Sequence, residues 1–553
     1  MPDINKRARE LALLNAERFG GKANPKALLG SLLAEFPDYR KNIQELQQII
    51  DDTVKDINSM SQEEQKKEIV SGNIKQKKKK EKRTGLPELK NAVKGKVVMR
   101  FEPSPSGPLH IGHAFPLILN SEYCRMYDGK MILRISDTNA KNIYPSAYKM
   151  IEEDARWLTG NKIDSVIIQS DRMELYYKTM EELINKNSAY ICTCDPNKFK
   201  KLIDNKDPCP CRSLTSQENL KRWKKMFKEY KEGDAVVRIK TDIKHKNPAV
   251  RDWPAFRINE ELHPRTKKKY RVWPLMNFAV AVDDHDLKLT HIIKGKDHIT
   301  NTERQMYMYD YLKWKKPEFI HIGRINFTGF TVSTSKTKIA IEEGRYKGWD
   351  DVKIPFIRAL KRRGFQPKAI QKIFIETGPS KTDKTVDIKE FFKTIEKYNK
   401  DIIDPTSRRL FFVESPAEIT LADNSLKNKT VHVENHPEKE LGTRHITASE
   451  KIYISAEDYN NLKGKYVRLR KLTEGMLEKT FNTKRQENKP AVIQWVPKDS
   501  PKATILMPDG KTKEGLAEKE AETLKEGEII QFERVGFCRL DKIKPLTFCF
   551  AHK

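Results

Sequence analysis

Two histidines three residues apart, His110 and His113, stand where a Gly/Pro loop meets an apolar helical pattern, in RFEPSPSGPLHIGHAFPLILN at 100–120. Unsatisfied N–H groups at a helix start attract anions. Gly107 and Gly112 remove side chains where a nucleotide must approach backbone. Two imidazoles at i, i+3 share one helix face and can donate to phosphate oxygens as charge develops at an α-phosphate. Alone, His-x-Gly-His reads equally as a metal pair or as core histidines; the strand–loop–helix setting selects the nucleotide. His321-Ile322-Gly323-Arg324 has no helix start after it and reads as structural. A second constellation is Cys192-x-Cys194 with Cys209-x-Cys211, separated by fourteen residues. Four thiolates suit a tetrahedral Zn²⁺ ion, and four plain reduced cysteines are the alternative. Cys124, Cys538 and Cys549 read as packing residues.

These groups need elements to hold them. KVVMRF (96–101), the loop, the helix pattern, the turn at 128–130 and MILRIS (131–136) form a βαβ unit with a parallel sheet. A second α/β stretch covers 273–325, and a basic, cysteine-bearing insertion covers 191–272. Residues 350–400 return to helices. After Asp404-Pro405 short strands with frequent turns predict one or two β-barrels. Residues 1–70 read as helices, with Pro25 at a first turn and Pro37 as a break. A linker at 71–95 carries KQKKKKEKR (75–83), either a solvated segment or an RNA-contacting strap.

Composition bounds the partners. At 553 residues the chain holds several domains, and 106 Lys plus Arg against 77 Asp plus Glu leave a net +29. That excess points to nucleic acid or an acidic membrane surface. No apolar run approaches the ~18–20 residues of a membrane span. The first residues form an amphipathic pattern rather than a secretory signal. Seven unpaired-looking cysteines suit a reducing cytoplasm.

RFEPSPSGPLHIGHA, LRISDTN (133–139), QSDRMELYY (169–177), VWPLMNFAVAVDDHD (272–286) and KGKDH (294–298) together resemble the class I aminoacyl-tRNA synthetases. Within the glutamyl/glutaminyl subclass the likeness is to glutamyl-tRNA synthetases of archaeal/eukaryotic type. The resemblance implies an α/β multidomain fold: a Rossmann-type catalytic domain in two halves (96–190 and 273–325) around an acceptor-end-binding insertion. A lysine loop and helical stem-contact region (326–403), anticodon-binding β-barrels (404–553) and the helical appendage complete it. The implied reaction joins L-glutamate to the 3′ end of tRNA(Glu), with ATP and Mg²⁺; charging of tRNA(Gln) stays open. Glutaminyl-tRNA synthetase, or a non-catalytic tRNA-binding relative, is the alternative. A monomer in the cytoplasm is expected, with the N-terminal helices open to a protein partner.

The resemblance also carries residues. ATP falls to Pro103, Gly107, His110, Gly112, His113, Ser335 and Lys336, the last two within FTVSTSKTKIA. There Lys336 keeps the second lysine of a mobile phosphate-clamping loop whose first is absent. His110, His113 and Lys336 are the catalytic candidates. Glutamate falls to Arg100, Ser104 and Lys294, with Met276 a match of position only. Ser136 stands where the family has an acidic residue for the substrate ammonium, Met276 where a Tyr is usual, and Lys294 where bacterial relatives place an Arg. The ammonium contact is thus unassigned, with Glu102 and Asp137 nearby in sequence. Basic clusters at 221–231, 263–271, 358–363, 408–409 and 465–471 are candidates for the RNA backbone.

Overall fold

The computed structural model describes all residues except 1–2, 37, 40–41, 73, 75–84 and 485–488. Pro37 and the basic run at 75–83 lie outside the described residues. The chain divides into two compact units, 1–83 and 84–553.

The first unit contains α1 (Ile4–Arg18), α2 (Pro25–Glu35), α3 (Ile43–Ser59) and α4 (Gln62–Ser71). Each start has a local cause. Asp3 and Asn24 accept from N–H groups of the first turns of α1 and α2, Pro25 presets φ, and Ser61 with Glu64 forms a capping box. In α3, Leu46, Ile50, Val54 and Ile57 face the core, while Ile43 stays 51% exposed. Ala8, Ala12 and Ala16 form the buried stripe of α1.

The second unit opens on β1 (Val98–Phe101), α5 (Ile111–Met126), β2 (Lys130–Ile135), α6 (Ala147–Leu158), β3 (Ser165–Ile168) and α7 (Met173–Asn185). β1, β2 and β3 pair in parallel in that order. The chain then forms an antiparallel sheet of β4 (Ala189–Cys192), β5 (Val236–Ile239), β6 (Pro254–Ile258) and β7 (Val272–Pro274). Helices α8 (Pro196–Asn205) and α9 (Ser216–Met226) lie between its first two strands in sequence. After α10 (Met276–Asp286), the parallel pair β8 (His291–Gly295) and β9 (Glu318–Ile322) flanks α11 (Ile299–Tyr311).

Thr290, just before β8, donates its N–H to Val98 O at 3.0 Å and accepts the Val98 N–H through Oγ1 at 3.0 Å. β8 therefore runs beside β1, and the spatial order is β3-β2-β1-β8-β9. The chain moves outward from β1, returns to its other side, and moves outward again. The gap between the carboxyl ends of β1 and β8 is the switch point at which open α/β sheets bind ligands.

β10 (Ile325–Thr328), α12 (Thr334–Glu342), α13 (Ile357–Arg363), α14 (Pro367–Thr377), β11 (Lys384–Asp387) and α15 (Ile388–Ile403) follow. The rest folds into two seven-stranded sheets and a hairpin. Each sheet closes by the same device. Arg409–Leu410 and Phe412–Glu414, one residue apart, occupy opposite edges of the first sheet; Ala491–Ile493 and Val496–Pro497 do so in the second. The first sheet is completed by 502–552, so the second is inserted within it. A single stretch of chain at both edges leaves few unpaired strand groups.

Candidate active site

His110 is the N-cap of α5: its Nδ1 accepts the Gly112 N–H at 3.1 Å. The His113 Nδ1 faces the His110 N–H at 3.4 Å, and the two rings stack with centroids 3.7 Å apart. Because both Nδ1 atoms accept, the neutral rings carry their protons on Nε2 and present N–H donors. Burial holds His110 down to a pKa of about 2, with the His113 charge adding, and burial holds His113 at about 4. The pair therefore presents neutral N–H donors.

Three contacts fix this turn. Ile111 N–H donates to Pro355 O at 3.0 Å, Ile357 N–H to Leu109 O at 2.9 Å, and Leu109 N–H to Asp154 Oδ2 at 3.1 Å. Asp154, from α6, is buried; desolvation raises its carboxyl to about 7, against the nearby Arg358 charge. Sequence reasoning missed Asp154. Its only sign was an acid in an apolar helix face, among Ile151, Ala155 and Leu158.

The glycines also serve packing within the protein. A Cβ on Gly107 would meet Thr334 Cγ2 at 2.4 Å and Trp349 at 3.1 Å, and one on Gly112 would meet the His110 ring at 3.0 Å. Gly107 thus lets the first loop close on the lysine segment, and Gly112 lets the cap ring fold over its own helix. Ser335 and Lys336 are exposed in the first turn of α12, whose N-cap is Ser333, rather than in an irregular loop. His110, Gly112 and His113 line a cleft of about 710 Å³ with Gly295, Asp297, His298 and residues 322–327 and 330–332. This cleft lies at the switch point. Pro103 is buried and accepts the Ser136 N–H at 2.9 Å, while Ser104 is exposed beside it.

Next to the cleft lies a buried ionic cluster. Arg100 is 1% exposed; its Nε meets Asp284 Oδ1 at 3.1 Å and Nη2 meets Glu102 Oε1 at 3.0 Å. Arg134 is fully buried, bonded to Glu102 and, at 2.7 Å, to Asp284. Lys294 donates to Gln305 at 2.5 Å. Burial lowers the Lys294 pKa to about 8, against the pull of Asp284. Asp284 stays below the usual carboxylate range: burial pushes it up, but Arg100, Arg134 and Lys294 outweigh that. Arg100 is thus paired with two of the protein's own acids, Asp284 and Glu102. Arg134 and Asp284 were quoted in the sequence motifs without a role. Their sign was charge at the ends of the apolar runs MILR and NFAVAVDD. Met276 is 44% exposed at the start of α10.

The four cysteines converge. Their Sγ atoms lie within 4.8 Å of one another, with Cys194–Cys209 at 3.3 Å, Cys192–Cys209 at 3.6 Å and Cys194–Cys211 at 3.8 Å. A tetrahedron of sulfurs at the usual Zn–S length of about 2.3 Å has edges of about 3.8 Å, so the set fits the ion. Arg222 Nη1 sits 3.3 Å from Cys211 Sγ and offsets thiolate charge. Cys124, Cys538 and Cys549 are buried, as packing residues should be.

The basic clusters divide. Arg358 pairs with Glu153, Arg362 with Asp541, and buried Arg363 donates to the Ala551 carbonyl, so 358–363 clamps helix to C-terminal sheet. Arg408 pairs with Glu520 and Glu528, and Arg409 with Asp404. In 465–471, Arg468, Arg470 and Lys471 each face a Glu. His263 is buried against Asp137. Lys221, Lys224, Lys228 and Lys231, and Lys267 to Lys269, remain exposed on the insertion.

The family comparison agrees with this geometry. The model for class I tRNA synthetases (E and Q), catalytic domain, matches 96–405, and the two anti-codon binding domain models of the same class match 407–491 and 492–541. The chain belongs to the class I tRNA synthetases of the E and Q group. Among its relatives, the glutamate--tRNA ligase of Methanocaldococcus jannaschii is 44% identical, covering 98% of this chain and 99% of the relative. Those of Methanobrevibacter smithii and Pyrococcus furiosus are each 43% identical over the full length of both chains.

Proposed function

We propose that this enzyme ligates L-glutamate to the terminal adenosine of tRNA(Glu). A glutamate carboxylate oxygen attacks the α-phosphorus of ATP and pyrophosphate leaves. A ribose hydroxyl of the tRNA, the 2′-hydroxyl in this reading, then attacks the acyl carbon and AMP leaves. The observation that carries the reading is the juxtaposition at one switch point: neutral imidazole donors after β1, and the buried cations Arg100, Arg134 and Lys294 beside them. Charge developing at phosphorus meets oriented donors, and Lys336 supplies a cation from an exposed turn. A glutamine side chain, an amide without charge, gives Lys294 no ionic partner, which favours glutamate.

The catalytic half-sheets form a Rossmann-type fold. The insertion (191–272) meets the acceptor end with its exposed lysines, the helices up to 403 meet the stem, and the closed sheets read the anticodon. Mg²⁺ enters with ATP. Cys192, Cys194, Cys209 and Cys211 would hold Zn²⁺ as a structural tie for the insertion, with no part in the chemistry. Among the described residues no helix is long and apolar enough to cross a membrane. The cytoplasm is the compartment of this reading.

The test is ATP–pyrophosphate exchange with glutamate or glutamine, with and without total tRNA. Exchange with glutamate that depends on tRNA is the expected result. Exchange with glutamine alone would replace the reading with a glutaminyl enzyme. Silence throughout, with tRNA still bound, would leave a tRNA-binding protein without catalysis.

A further inference from the structure

At the carboxyl ends of β1 and β2 the ionic cluster contains three cations and two acids, Glu102 and Asp284, of which Glu102 alone keeps solvent exposure. An amino acid brings an α-ammonium with three N–H donors. Placing it beside Arg100, Arg134 and Lys294 without an acid would leave a poorly solvated cation among like charges.

The acids nearby differ in what they have left to offer. Asp137 is buried and its oxygens are taken: Oδ1 accepts the Ser170 N–H at 2.8 Å, and Oδ2 accepts Ser170 Oγ at 2.7 Å and Tyr148 Oη at 2.8 Å. Asp284 is buried between Arg100 and Arg134. Asp283 is buried and accepts from Gln169, Arg172 and Tyr176. Asp297, after β8, is forked by Arg324. Glu102 alone among these joins the cluster and remains 27% exposed. Each guanidinium takes one of its oxygens, Oε1 facing Arg100 and Oε2 facing Arg134. A carboxylate has about four acceptor positions, so each oxygen keeps a free lone pair, held in place by the two arginines. The Pro103–Ser136 bond next to it ties the ends of the two strands together.

We propose that Glu102 binds the α-ammonium of the substrate amino acid and so selects amino acids over plain dicarboxylates. The proposal rests on glutamate being the substrate. In it, Arg100 and Arg134 have two tasks, gripping carboxylate and orienting the acid that receives the amine.

The test compares glutamate with glutarate, the same dicarboxylate without the amine, as a competitive inhibitor of tRNA-supported exchange. In Glu102→Ala the KM for glutamate should rise on the order of 10- to 100-fold, the worth of a charge-assisted hydrogen bond. The Ki of glutarate should stay the same or tighten. Glu102→Gln keeps the side-chain length and should show the same split if the alanine variant melts early. A parallel loss of glutamate and glutarate binding would reduce Glu102 to a support for the arginines and overturn the proposal. So would an unchanged KM. Wild-type enzyme that fails to exchange with glutamate would instead remove the reading beneath it.

Discussion

The histidine turn and the ionic cluster sit at neighbouring strand ends and solve opposite electrostatic problems. The turn keeps two titratable rings neutral, through burial and two backbone N–H groups that occupy their Nδ1 atoms. The cluster keeps charges ionised, by matching Arg100 and Arg134 against Glu102 and Asp284 inside the protein. A phosphate carries its own charge and needs directed donors that do not bind the ground state too tightly. A small carboxylate must be drawn from water, and that takes permanent cations, which survive burial only when paired.

The sharpest way to break the contrast is to unpair the cluster. Asp284→Asn leaves Arg100 and Arg134 short of a buried partner and should destabilise the fold by about 3–5 kcal/mol. Urea denaturation checks this; a change under 1 kcal/mol would mean that water already reaches the site. His113→Ala removes a donor without exposing a charge. It should lower exchange on the order of 10²–10³-fold, the range for a single transition-state donor. Folding stability should change far less than in Asp284→Asn, and tRNA affinity should hold. Lys336→Ala should follow the same pattern, because its side chain is exposed and supports no core; equal losses in tRNA binding would refute the clamp role.

pH separates the two regions more gently. Lys294 loses its proton above about 8, so the KM for glutamate should climb as pH passes from 8 to 9. A KM flat to pH 9.5 would remove Lys294 from the substrate. The histidines act on stability instead. Their folded values lie below the unfolded value near 6.5, so the unfolded chain binds more protons on acidification. Their contribution is full above about 6.5 and fades as pH falls from there toward 4 for His113 and lower for His110. Histidine Cε1–H NMR shifts of both should stay flat between pH 5 and 8.

The sequence made part of this legible. His-x-Gly-His after an apolar strand announced a helix start, and His110 caps α5 there, because that geometry depends on local spacing. The four cysteines announced a thiol cluster, and the structure brings their sulfurs together. The lysine segment was harder to read. Its serines and threonines suggested a loop, yet Ser333 caps a helix there and Thr334 packs on Gly107, a contact across more than two hundred residues. The basic runs were equally hard to read. A run of charge in sequence does not say whether an acid waits across the fold, and for Arg362 and Arg408 one does.

What the sequence determined by itself was everything carried by short-range pattern: the alternation of strands and helices, the histidine-capped helix start, the thiol set and the excess of positive charge. Only the tertiary structure decided protonation and pairing. That the Lys294 pKa is held down to about 8, that Arg100 pairs with Asp284 184 residues away, and that Glu102 is the acid of the cluster left partly exposed all depend on burial and on partners brought together by the fold. Desolvation and Coulomb energy act through space, and no local spacing records them.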